Sequence, residues 1–178
     1  VDKIAQSYQQ FIKTYCKGDK AVVLNNLKGY AECFRKTFDP KYCDMALPRE
    51  FGIERMNVLI FGLKNTTMIP YVLYVAKNVS DPQELTRIYH ILEGYVMRRM
   101  VAHVSTKNYN NMFTLLIRNQ ALDADSLLKR LEDSKETTTY VPTDVEVENG
   151  SKGIFDLKPY LDHGVFRELR DVHYFNQV

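Results

Sequence analysis

Hydrophobic positions along this chain recur at spacings of three and four, which is the helical period. From Asp2 to Cys16 the apolar residues Ile4, Tyr8, Phe11, Ile12 and Tyr15 fall on one face. Lys17-Gly18-Asp19 reads as a helix stop followed by a new cap. A second helix over Lys20–Phe38 lines up Val23, Leu24, Leu27, Tyr30, Ala31 and Phe34, with Gly29 weakening it by roughly 1 kcal/mol relative to Ala. Asp39-Pro40 breaks it, and Pro48 keeps residues 41–50 a connector. The helical spacing resumes over Phe51–Leu63, through Ile53, Met56, Leu59, Ile60 and Leu63. The run MIPYVLYVA at Met68–Ala76 has enough β-branched and aromatic content for a strand. Its helical neighbours, the lack of a pairing partner and Pro70 in its first turn favour a helix.

The longest pattern lies over Asp81–Phe113. Asp81 is placed to cap a helix, Pro82 suits the first helical position, and Glu84 completes a capping box. Leu85, Ile88, Tyr89, Ile91, Leu92, Tyr95, Val96, Met97, Met100 and Val101 then cover most of the circumference, which predicts a helix in the middle of a bundle. From Leu85 to His103 it would run about 28 Å at about 1.5 Å per residue. Ser105 or Thr106 is positioned to cap a following helix through Tyr109, Met112, Phe113, Leu116 and Ile117. Asp123–Leu131 reads as another helix. Residues 133–153, rich in Thr, Glu and Asp and holding Pro142, Gly150 and Gly153, read as loop, with Thr143 capping at most a short turn. Short helical fragments are expected at Phe155–Leu161 and Val165–Leu169.

The fold class is therefore all-α. We expect an irregular multi-helix bundle with a central buried helical hairpin over 81–120 and a less regular C-terminal quarter. One helical domain over 1–178 is expected, with a main body over 1–132 and an irregular 133–178 leading to a C-terminal domain outside this chain. No run of eighteen apolar residues is present, and the N-terminal pattern is not that of a signal peptide, so no membrane partner is expected. The three cysteines Cys16, Cys33 and Cys43 form no CxxC pair, which reads as a reducing, cytoplasmic setting. Net charge is +2, unevenly spread. Residues 1–122 hold 17 basic against 10 acidic side chains and residues 123–178 hold 7 against 12. That asymmetry permits a basic face, but no dense cluster appears, which favours ordinary solvated helix surfaces.

Chemistry is sparse. His90 and Glu93 have metal-compatible spacing, but His103, His163 and His173 supply no complete ligand set, so neither a metal nor a cofactor is expected. No GxxxxGK[ST], GxGxxG or GxSxG pattern occurs, and no catalytic residue is assigned. Arg98 and Arg99 remain. Adjacent helical positions diverge by about 100°, so at least one points inward or along an interface, where an unpaired charge is costly. Glu93 is a candidate partner for Arg98, although a spacing of five is poor within one helix and a partner on another helix is an equal candidate.

The segment LTRIYHILEGYVMRRMVAHVSTKNYNNMFTLLI resembles a motif of large bacterial proteins that join a ParB/sulfiredoxin-like N-terminal domain to a C-terminal HNH nuclease. GmrSD-type modification-dependent restriction enzymes and RloF-like proteins belong to that family. The shared positions are Leu92-Glu93, Arg98-Arg99, Ser105 to Lys107, and Asn110 or Asn111 with Phe113 following. The similarity covers roughly residues 51–120, is diffuse before it, and is weak beyond 133 apart from Tyr174-Phe175-Asn176. The family's Gly-Gln-Gln-Arg-like motif and its HNH residues have no counterpart here, so no catalytic role carries over. The resemblance implies a non-catalytic helical region coupling an NTP-using domain to a nuclease. Glu93, Arg98, Arg99, Lys107, Asn110 and Asn111 would then be its structural, coupling or DNA-facing residues. The flanking domains, and either DNA or a second subunit, would be its partners. A helical protein–protein interaction domain with no link to DNA is the alternative.

Overall fold

Aspartates open three of the helices, each by the same local chemistry. A carboxylate just ahead of the helix accepts one of the backbone N–H groups that the first turn leaves without a partner. Asp19 does this for Ala21 at 2.8 Å, Asp81 for Gln83 at 3.0 Å, and Asp123 for Ser126 at 2.8 Å. The computed structural model describes residues 2–15, 17 and 19–151, and all of its regular structure is helical. The expected fragments at 155–161 and 165–169, together with Cys16, His163, His173 and the 174–176 motif, lie outside the described residues.

In chain order the α-helices are α1 (Asp2–Tyr15), α2 (Lys20–Thr37), α3 (Ile53–Asn57), α4 (Ile69–Asn78), α5 (Pro82–Val101), α6 (Tyr109–Arg118), α7 (Ala124–Glu132) and α8 (Asp144–Ser151). A 3₁₀ turn at Pro40–Asp44 is started by Asp39, and a second occupies Thr66–Met68. The apolar run with strand-forming composition is α4, with Pro70 in its first turn.

The chain divides into two compact units, Val1–Thr37 and the part from Phe38 onward. The first unit contains α1 and α2. Its predicted stripe leaves much of its surface outward: Tyr8, Phe11, Tyr15, Leu24, Leu27 and Phe34 are exposed.

The second unit holds the core. Met56, Ile60, Met68, Tyr71, Val72, Ile88, Leu92, Val96, Met112, Phe113, Leu116, Leu127 and Leu131 are buried within it. At about 25 cal/mol per Å² of apolar area, burial of this set is the main stabilising contribution to the unit. Helix α5 packs on α3, α7 and α8, and α6 packs on α4 and the Thr66–Met68 turn. The expected hairpin is thus a corner more than a paired ribbon. Rings at its bend, Tyr95 and Tyr109, meet with centroids 6.0 Å apart.

Local details depart from the sequence expectation where long-range contacts win. Glu84 does not close a capping box on Asp81. Its carboxylate accepts the backbone N–H of Ala124 and so caps α7. The other oxygen accepts from Arg87 at 3.0 Å. Residues Val58–Gly62 continue α3 as a π-helix, with Leu63 N–H donating to the Val58 carbonyl. Helix α6 starts after Asn108, not from a Ser105 or Thr106 cap; the Ser105 hydroxyl accepts from Lys107 N–H at 3.3 Å.

Two helix ends share one geometry. His103 (φ 54°) and Gln120 (φ 52°) adopt the left-handed conformation just past α5 and α6. Val104 N–H returns to the Arg99 carbonyl and Ala121 N–H to the Leu116 carbonyl, as in a Schellman ending. The segment 133–151 is also more ordered than a loop. Thr143 and Glu146 form a reciprocal capping box, and α8 follows for two turns.

Candidate functional site

Helix α5 places its charged residues on different sides, as the 100° step requires. Glu93 and Arg99 are buried, and Arg98 is half-buried. Each finds a different kind of partner.

Glu93 pairs with Arg55 of α3. The Arg55 Nε donates to both carboxylate oxygens, at 3.1 and 2.9 Å, and Nη2 donates to Oε1 as well. Arg55 Nη1 also donates to the Pro48 carbonyl at 2.6 Å. Its guanidinium lies 4.9 Å from the Phe51 ring centroid, and Phe51 stacks on His90 at 3.9 Å. The candidate partner Arg98 is therefore not the one Glu93 uses. Its partner is Arg55 on another helix, which helical periodicity within α5 does not mark. The available signal was an arginine inside the apolar run Ile53–Ile60. His90, considered beside Glu93 for a metal, stacks on Phe51; among the described residues no group of three His, Cys, Asp or Glu side chains could hold a metal.

Arg99 has 0% exposure. Its hydrogen bonds run to backbone carbonyls: Nη1 to Tyr140 at 2.6 Å, and Nη2 to Ser105 and Thr138 at 2.7 Å each. Among the described residues its Nε–H is buried with no acceptor. Three rings surround the guanidinium, with centroids at 5.4 Å for Tyr95, 5.5 Å for Tyr109 and 5.8 Å for Tyr140. Cation–π attraction at such distances contributes up to about 2 kcal/mol each when desolvated. Burial pushes the Tyr109 phenol up, while the Arg99 charge beside it pulls the other way.

Arg98 faces outward from the same turn. Nε and Nη2 donate to the Pro142 carbonyl at 3.1 and 2.8 Å, and Nη2 reaches the Asp144 carboxylate at 2.5 Å. Tyr95 adds a hydrogen bond to the Thr139 carbonyl at 2.8 Å, and Asn108 one to the Thr139 neighbour Thr138 at its hydroxyl, 2.9 Å. These four side chains thus grip one strap, residues 136–144, mostly through its backbone. From the strap, Tyr140 donates to Glu146 of α8 at 2.6 Å, which holds that carboxyl below its usual range with help from Thr143.

Gly150 completes the attachment. A Cβ built there would lie 2.0 Å from the Val101 carbonyl oxygen, so only glycine lets α8 approach the end of α5 this closely.

Of the six residues marked in the sequence, Arg98 and Arg99 converge on the strap, while Glu93 belongs to a separate buried pair. Lys107, Asn110 and Asn111 are exposed, and Asn111 donates to the Asn108 side chain at 2.7 Å. Asn108, Tyr95, Tyr109 and Tyr140 complete the cluster, and no sequence pattern marks them for it. Among the described residues no helix is long and apolar enough to cross a membrane. No family model, no curated protein and no solved structure matches this chain.

Proposed function

We propose that this chain is a non-catalytic helical connector of a bacterial, NTP-using, modification-dependent DNA restriction protein, coupling an N-terminal nucleotide-using domain to a C-terminal HNH nuclease. The sequence resemblance supplies the context. The observation that carries the connector role is the direction of the double arginine. Arg98 and Arg99 tie the end of α5 to the backbone of the strap that follows α7, so a shift of α5 is passed on to the later chain. Glu93 braces α5 against α3 on another side. Lys107, Asn110 and Asn111 are the exposed motif residues that a flanking domain, a second subunit or DNA would meet.

The test uses the whole protein and measures NTP hydrolysis beside cleavage of modified DNA. Arg98→Ala is expected to keep hydrolysis and lose roughly tenfold in cleavage, within the usual coupling range of about 1–3 kcal/mol. Unchanged cleavage would sink the coupling role. A gene with neither a ParB-like domain upstream nor an HNH domain downstream would sink the restriction context.

A second reading, a protein–protein interaction domain without a link to DNA, is favoured by the exposed aromatic residues of α1, Tyr8, Phe11 and Tyr15. DNA affinity that falls steeply with salt would argue against it. Absence of DNA binding at low salt, in the whole protein, would favour it.

A further inference from the structure

Arg99 is a full positive charge in the core, yet among the described residues its partners are neutral: three backbone carbonyls and the Tyr109 phenol. Among those residues its Nε–H has no acceptor. Buried cations are ordinarily paired with anions, and a charge-assisted bond is roughly twice as strong as a bond to a neutral acceptor. The guanidinium fork presents Nε–H and an Nη together on one edge, which is the geometry that grips a carboxylate or phosphate.

Two of the three carbonyls belong to the strap, and the strap is weakly anchored by apolar burial. Thr139 and Pro142 are buried and Val141 is half-buried; the remaining attachments are polar. Segments with few buried apolar contacts open at a lower free energy than the core.

We propose that the strap is an internal occupant of a phosphate-binding site. When residues 136–144 lift away, the Arg99 fork takes a phosphate oxyanion, framed by Tyr95 and Tyr109 and still oriented by the Ser105 carbonyl. Arg98 loses its Pro142 and Asp144 partners in the same step and becomes a second cation at the rim. Strap and phosphate are then mutually exclusive. The inference concerns this chain alone and stands apart from the restriction reading.

Native-state hydrogen exchange on the full chain tests it, with inorganic phosphate compared against chloride at equal ionic strength. The Thr139 and Tyr140 amides sit in one short turn on the Glu136 carbonyl, which is unstable once it leaves α5, and so report the strap; the amide of Val96 reports the core. Phosphate is expected to speed the strap amides and leave Val96 unchanged. Arg99→Gln should abolish the phosphate effect. Asp144→Asn weakens the strap without touching the receptor. Because apparent affinity scales with the open fraction, it should lower the half-saturating phosphate concentration by about threefold. The proposal is overturned if strap and core amides exchange together in both salts, or if phosphate acts equally on Arg99→Gln. An unchanged half-saturation in Asp144→Asn overturns it even where Arg99→Gln does not fold.

Discussion

Arg55 and Glu93 show how one residue's role is fixed by a partner far away in sequence. The pair is buried on both sides and bonded through more than one nitrogen. Removing one member leaves the other as an uncompensated charge, whereas removing both leaves an apolar gap that similar volumes can fill. Glu93→Gln is therefore expected to destabilise the protein by about 3–5 kcal/mol, and Arg55→Met with Glu93→Leu to fall close to the parent. Urea unfolding midpoints measure both. A double variant as unstable as the single one would show that the charges contribute more than mutual compensation. The sequence made Glu93 visible, since a charge inside a helix that is apolar almost all round needs a partner. It could not supply Arg55, because helical periodicity relates neighbours three and four apart and says nothing about a residue 38 positions away. Arg99 was equally visible as an inward charge, but acceptors that are backbone carbonyls have no signature in residue types.

At the scale of elements, helix starts marked by an aspartate were legible, whereas the start of α6 and the geometry of the helix endings were not. Caps at Asp19, Asp81 and Asp123 act within three residues, so the local sequence contains both partners. The endings at His103 and Gln120 use left-handed residues other than glycine, which removes the usual marker. The π-turn at Val58–Gly62 likewise has no composition of its own. The Asp123 cap has a measurable consequence. The Ser126 backbone N–H, helped by its hydroxyl, holds this carboxyl below the usual range. A depressed folded value means that the cap stabilises above the unfolded pKa of about 4 and that this contribution is lost as pH falls through the folded value. Asn caps nearly as well as Asp but does not titrate. Melting temperatures of Asp123→Asn are therefore expected to fall less steeply than the parent's between pH 5 and pH 2 on the order of the acidic transition itself. Parallel curves would remove the Asp123 charge from the acid response.

For the molecule as a whole, α5 is the element about which the second unit is arranged, and its completion depends on the strap. The hydrophobic pattern located the core of α4 to α7 correctly, because apolar burial is what such patterns report. It missed the strap and α8 because these are held by Arg98, Arg99, Tyr95 and the close approach of Gly150, contacts that polar composition conceals. A chain ending after Glu132 would keep nearly all of the buried apolar residues and lose two of the three carbonyl acceptors of Arg99. Such a chain is expected to lose cooperative thermal unfolding, and Arg99→Met within it to recover part of that cooperativity, since the cation is then absent. A sharp transition in the shortened chain without the substitution would show that the strap is dispensable to the core.

The dependence of Arg99 on Thr138, 39 residues later, also sets an order of events during synthesis. At elongation rates of up to roughly 20 residues per second, α5 is synthesised on the order of two seconds before its strap acceptors exist. During that interval the guanidinium has only water, the Ser105 carbonyl and the Tyr109 phenol to turn to, which keeps the C-terminal turn of α5 wet while the α4–α7 core collects around its other end. Translation speed across residues 100–140 thereby becomes a variable of folding, and slower codons in that stretch would lengthen the wet stage.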